Sequence, residues 1–183
     1  MIPVALDAGT LAIGVAGRGP AALRRFLALQ AGGARDLLVY CDAPDPEIDC
    51  AAGPGLRRFL PDRPELRALR ALWIAGLPDD EAAVLAGLAR SERVLVNVED
   101  RPALCDFHSV AEVRRGELLL TVSTGGASPG LAARIRGRLA AEYGPEWSDR
   151  LALLRSQRSA WRAQGRDVPA LTDALLQVNG WLA

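Results

Sequence analysis

Gly17-Arg18-Gly19-Pro20-Ala21-Ala22 is the first stretch of the chain whose residue types and spacing could do chemistry. It has the G-x-G-x-x-A form of a turn that carries a strand into a helix around the pyrophosphate of a dinucleotide. Gly17 permits the tight turn, Gly19 lets backbone approach the phosphates, and the small Ala22 lets helix and strand pack closely. Pro20 falls at the first position of the following helix, where its missing N–H costs nothing. The helix N-terminus then offers free N–H groups and a partial positive charge to an anion. Asp42 closes the next apolar run, where an acid bonds a ribose hydroxyl and favours NAD over NADP. Arg18 could instead greet a 2′-phosphate.

Two further groups are chemically able. Asp100 follows the apolar run Arg93–Val98 and so sits past a buried strand, at the sheet edge where such folds bind ligands. Its plain alternative is a turn or cap aspartate before Pro102. Ser123-Thr124-Gly125-Gly126-Ala127-Ser128 precedes Pro129 and a helix. Ser128 is expected to cap that helix, and two glycines with three hydroxyls at a helix start also suit an anion. His108 is the single histidine, which excludes sites needing several imidazoles. All 22 basic residues are arginine. Without lysine, P-loops and Schiff-base chemistry are excluded.

These residues need elements to hold them. Short apolar runs at Leu11–Ala16, Leu37–Cys41, Ala71–Ala75 and Arg93–Val98 read as buried strands. Helical spacing covers Ala21–Gln30, stopped by Gly32-Gly33, and Asp79–Arg90. A Pro/Asp loop follows Cys41. Alternating strands and helices imply an α/β fold with a parallel, doubly wound sheet. After about Val110 the pattern changes. Arg114–Glu117 reads as a turn into a strand at Leu118–Ser123, a helix runs from Pro129 towards Tyr143, and Trp147–Trp161 and Val168–Trp181 are helical. At 183 residues and 50% hydrophobic content the chain can bury a substantial core. Its 22 acids balance its 22 bases, which points away from nucleic acid and anionic membranes. No apolar run has the ~20 residues of a membrane span, and the N-terminus is not patterned as a signal peptide. Three cysteines without C-x-x-C spacing read as reduced, cytoplasmic thiols.

The stretch from Asn97 to Leu139 is more specific. Asn97-Val-Glu-Asp100, Leu104-Cys-Asp-Phe107, Val113-Arg-Arg-Gly116 and Val122-Ser-Thr-Gly-Gly-Ala-Ser-Pro129 occur in this order. Together with the glycine turn they resemble the precorrin-2 dehydrogenase and ferrochelatase domain of the siroheme synthase family. The resemblance implies a Rossmann-like NAD-binding domain over 1–112, a strand–helix dimerisation segment over 113–145 and a small helical domain over 146–183. It implies a homodimer that oxidises precorrin-2 to sirohydrochlorin with NAD, and in many relatives inserts ferrous iron. With the end at Ala183, a stand-alone form is expected, without a fused methyltransferase. By motif, Asp100 corresponds to the family's catalytic aspartate, Gly17, Arg18, Gly19, Pro20 and Ala22 to the cofactor turn, and Asn97, Ser123, Thr124, Gly125, Gly126 and Ser128 to the substrate side. Arg114 is a candidate to pair with the carboxylates of such a tetrapyrrole. Trp147, Trp161 and Trp181 are expected in the core or a dimer contact. The chain departs from the family where Arg18 replaces a glycine, at Ala75–Asp80, and at Val110. Those departures leave room for a protein that binds a tetrapyrrole or nucleotide on the same scaffold without chemistry.

Overall fold

The computed structural model describes residues 2–166 and 168–180, and the chain divides after Ser109 into two compact units. In the first unit, β1 (Ile13–Gly17), β2 (Leu37–Tyr40), β3 (Leu56–Arg57), β4 (Ala71–Ala75) and β5 (Leu95–Val98) form one parallel sheet in the order β3-β2-β1-β4-β5. The helices α1 (Gly19–Ala31), α2 (Pro46–Ala52), α3 (Arg63–Ala68) and α4 (Asp79–Ser91) connect the strands.

The strand sequences dictate two cores. Side chains alternate across a strand, so Ile13 and Val15 of β1 and Ala71 and Trp73 of β4 join Phe26 of α1 and Ile48 of α2 on one face. Ala16, Leu72 and Ile74 join Leu85, Ala86 and Ala89 of α4 on the other. Covering both faces is why β1 and β4 are buried at every residue and read as unbroken apolar runs. The winding reverses between β1 and β4, which opens a crevice at their carboxyl ends.

Three expectations need correcting. β1 and β5 start later than their apolar runs, at Ile13 and Leu95, the latter after Arg93 has turned through a left-handed backbone (φ 62°). The Pro/Asp loop after Cys41 ends at Asp45, and the segment beyond it carries two helices that the periodicity did not reveal. Asp45 and Asp62 cap α2 and α3 through Ile48 N (2.8 Å) and Glu65 N (3.3 Å), each with proline in the first turn. β3 has only two residues, too short for any periodicity to register.

The third correction lies in the second unit. Two strands form there, β6 (Ala111–Arg115) and β7 (Leu118–Val122), paired antiparallel from Ala111↔Val122 to Arg115↔Leu118. Gly116 (φ 59°) and Glu117 make the connection, and a Cβ on Gly116 would meet Ser148 Oγ at 2.6 Å. The helices α5 (Pro129–Glu142), α6 (Trp147–Ala163) and α7 (Val168–Asn179) complete this unit. Arg115 donates to the carbonyls of Tyr143 (2.8 Å) and Ala140 (3.1 Å), satisfying the open end of α5. Among the described residues no helix is long and apolar enough to cross a membrane.

Candidate functional site

The glycine turn is built by backbone crowding. A Cβ on Gly17 would lie 1.7 Å from the carbonyl oxygen of Ala75, and Arg18 N donates to that same oxygen at 3.2 Å. Gly76 (φ 70°) is the reciprocal constraint: its Cβ would lie 2.1 Å from the Arg18 carbonyl oxygen. The turns leaving β1 and β4 therefore touch main chain to main chain. Gly76 carries no recognisable motif, and a glycine just past an apolar strand is its only signal in the sequence. Gly19 differs. It has a left-handed backbone (φ 62°) and nothing lies within 4 Å of where its Cβ would be. Pro20 sits in the first turn of α1, which has neither a side-chain cap nor an acid, while Ala22 is buried beneath it. N–H groups with no side-chain cap, open space at Gly19 and no competing carboxylate on the helix fit the pyrophosphate of a dinucleotide.

Arg18 organises the rim of that turn. Its Nε and Nη2 donate to the two oxygens of Asp42, both at 2.7 Å, and its Nη1 and Nη2 donate to Glu81 of α4 at 3.2 and 2.9 Å. Asp42 lies just past β2, at the strand end where the sequence places it. The guanidinium holds the Asp42 carboxyl below the usual carboxylate range, and the hydrogen bonds that Arg18 donates to Asp42 and then to Glu81 raise the pKa of the arginine. All three side chains are partly exposed, so solvent screens the cluster. Glu81 has no sequence motif. Only tertiary packing brings it to a residue 63 positions earlier.

Asp100 stands at the carboxyl edge past β5, exposed, with a left-handed backbone (φ 58°). Its loop is held by the residues around it. Glu99 N donates to Ile74 O (2.9 Å) and Arg101 N to Val98 O (3.2 Å). Asn97 is buried, and its amide is committed to Phe107 O at 2.9 Å. Cys105 Sγ accepts from Val98 N at 3.2 Å. Asp106 doubles the lock: its N donates to Val96 O (2.8 Å) and its carboxylate accepts from Val96 N (2.9 Å) and Arg90 Nε (2.8 Å). Phe107 meets Trp73 edge-on with ring centroids 4.8 Å apart. The Asn97 and Cys105–Phe107 motifs thus form one brace, which fixes where Asp100 projects. Arg101 pairs with Asp79, and that acid raises its pKa.

The loop Ser123–Ser128 is self-supporting. Thr124 Oγ1 accepts from Ser128 N (3.2 Å) and donates to Ser128 O (3.1 Å). Ser123 Oγ accepts from Gly125 N (3.2 Å), and Ser128 Oγ caps α5 by accepting from Leu131 N (3.3 Å). Gly125 and Gly126 take left-handed backbones (φ 64° and 86°). Ser123 and Ser128 only accept in these bonds, so each hydroxyl proton remains available to a ligand. Arg114 lies on an exposed strand face and donates to Glu112 at 3.0 and 3.2 Å. His108 is exposed; Trp147 is buried; Trp161 is half-buried with Arg166 stacked 3.8 Å from its ring. Trp181 lies outside the described residues. Among the described residues no group of three His, Cys, Asp or Glu side chains could hold a metal ion.

Residues 4–111 match a family described as NAD(P)-binding, and residues 115–142 match one described as the central part of sirohaem biosynthesis proteins. A siroheme synthase of Methylococcus capsulatus is 34% identical over 142 residues, covering 75% of this chain and 30% of its own length. One of Chromobacterium violaceum is 35% identical over 158 residues, covering 84% of this chain and 33% of its own. The siroheme biosynthesis protein met8 of Schizosaccharomyces pombe is 40% identical over 58 residues, 32% of this chain and 22% of its own. The chain thus spans about a third or less of these curated relatives. Among solved structures, SirC, a precorrin-2 dehydrogenase, superimposes with a TM-score of 0.76 at 23% identity, covering 97% of this chain and 89% of that one.

Proposed function

The chain belongs to a family described as NAD(P)-binding, and on that premise we propose that it oxidises precorrin-2 to sirohydrochlorin with NAD. The observation that carries the reading is the pairing, on one sheet edge, of an uncapped helix start behind Gly17 and Gly19 with a braced, exposed Asp100. When bound, the nicotinamide cofactor supplies the hydride acceptor. The remaining work falls to the chain. Gly17, Gly19, Pro20 and Ala22 shape the turn that receives the pyrophosphate, and Asp42 accepts from a ribose hydroxyl with the lone pairs Arg18 leaves free. The Asp100 carboxylate takes the proton that the macrocycle loses as its hydride departs. Precorrin-2 carries acetate and propionate groups on every ring. Ser123 and Ser128 can donate to them, Thr124, Gly125 and Gly126 hold that loop in shape, and Arg114 can pair with them by giving up Glu112. Asn97 serves the substrate side indirectly, through the brace that sets Asp100. Ferrous iron, where it is inserted, enters as substrate, with Asp100 accepting pyrrole protons.

Mixing the protein with precorrin-2 and NAD without oxygen should give the sirohydrochlorin spectrum with one equivalent of NADH. A second reading, binding without chemistry, draws on Arg18 already occupying Asp42. Tight binding of both molecules with no spectral change would favour it and overturn the first.

The assembly we propose is a homodimer formed through the second unit. Among the described residues its buried apolar side chains are few, Val113, Ala132, Trp147 and Leu171, while Leu131 (50%) and Ile135 (37%) of α5 stay exposed. Leu118, Leu119 and Leu120 of β7 are only half-buried. A two-stranded hairpin with so small a core gains most from covering that face with a second copy. Light scattering at micromolar concentration should give twice the chain mass, and Ile135→Asp should halve it. A monomeric parent protein would refute this assembly. The free thiols of Cys41, Cys50 and Cys105 suit the reducing cytoplasm as its compartment.

A further inference from the structure

We propose that Glu81 sets the nucleotide preference of the glycine turn, by occupying the arginine that would otherwise receive a 2′-phosphate; this rests on the cofactor reading above. Arg18 stands in the middle of Gly17-Arg18-Gly19, beside the acid at the end of β2 that faces the ribose in folds of this kind. Left alone, a guanidinium there would bind a phosphate dianion through a bidentate fork. The structure leaves it no such fork. Of the five N–H donors of a guanidinium, Nε and one on Nη2 go to Asp42, and the second on Nη2 and one on Nη1 go to Glu81. A single Nη1 donor remains.

Charge points the same way. Two carboxylates around one guanidinium leave the cluster with a net charge of about −1, which repels a phosphate dianion and leaves a neutral ribose diol unaffected. Asp42 alone would leave it near zero. Glu81 is thus the residue that converts an arginine-bearing turn from phosphate-accepting to phosphate-rejecting. Its placement follows from the close approach of the two turns. Gly76, in the turn that leads into α4, lies against the Arg18 main chain, and the first turn of α4, which carries Glu81, reaches the Arg18 side chain. The arrangement also explains how a chain with arginine in place of the usual glycine keeps an acid, Asp42, usable at the ribose.

NAD and NADP affinity are measured by calorimetry on the parent chain, on Glu81→Gln, and on Glu81→Gln combined with Arg18→Gly. Gln keeps the shape of Glu81 and removes its charge. The parent should prefer NAD, and Glu81→Gln should shift the NAD:NADP affinity ratio towards NADP by about tenfold, the scale of one additional charge-assisted hydrogen bond. The shift should shrink as salt is raised. Arg18→Gly in the double variant should abolish it, because the effect runs through the guanidinium. A parent that binds NAD, with a ratio left within about twofold by Glu81→Gln, would overturn the assignment and leave the cofactor reading standing. A shift that survives Arg18→Gly would overturn it as well. Binding of neither nucleotide by the parent would overturn the cofactor reading and this assignment together.

Discussion

Asp100→Asn is expected to slow precorrin-2 oxidation by about 10²-fold or more, the scale of losing a positioned acid–base group. Asparagine is the informative replacement. Asp100 takes a left-handed backbone (φ 58°), which Asn tolerates nearly as well as Asp and which alanine would strain by about 1–2 kcal/mol. The brace of Asn97, Cys105 and Asp106 does not involve the Asp100 carboxylate, so the melting temperature should stay close to that of the parent. NAD affinity should also hold, because the pyrophosphate rests on α1. Anaerobic turnover with precorrin-2, a melt and a NAD titration check all three. Turnover near the parent rate would show that the carboxylate is not the base and that catalysis rests on positioning alone. If the parent also inserts iron, the same variant should lose that activity. Loss of only one activity would separate the two roles.

The largest effect on stability is expected at Gly17. A Cβ there would sit 1.7 Å from the carbonyl oxygen of Ala75, and the obstacle is backbone in the middle of the sheet, which no rotamer change relieves. Gly17→Ala must therefore separate β1 from β4 at their carboxyl ends. The cost should be about 3 kcal/mol or more, in the range of severe strain and overpacking. Gly19→Ala is the matched control. Its Cβ meets nothing within 4 Å, so only the left-handed backbone is penalised, by about 1–2 kcal/mol. It should fold, yet bind NAD more weakly, because the added methyl fills space the phosphates approach. Denaturant melts of the two variants check the contrast. Equal stability would mean that the β1 and β4 turns yield more easily than their geometry implies.

The residue string by itself determined the elements that repeat a local rule. Four of the five parallel strands announced themselves as apolar runs because both faces of the sheet are covered, and α1 and α4 through helical spacing between breakers. The places of the G-x-G-x-x-A turn past β1, Asp42 past β2 and Asp100 past β5 were legible for the same reason: each directly follows an apolar run that ends as a buried strand. Ser128 could be read as a cap from the Ser-Pro step alone. Tertiary structure alone decided the rest. Whether Asn97 touches a ligand or locks a loop depends on Phe107, ten residues away, and the fold turns its amide to that carbonyl. Arg114 and Arg115 are identical as letters, yet one pairs with Glu112 on an exposed face and the other closes the end of α5. Gly76 and Glu81 carried no motif, since their roles arise where two strand–helix turns meet main chain to main chain. Local propensity reaches across a few residues, and an ion pair between chain segments 63 positions apart exists only after the sheet has brought them together.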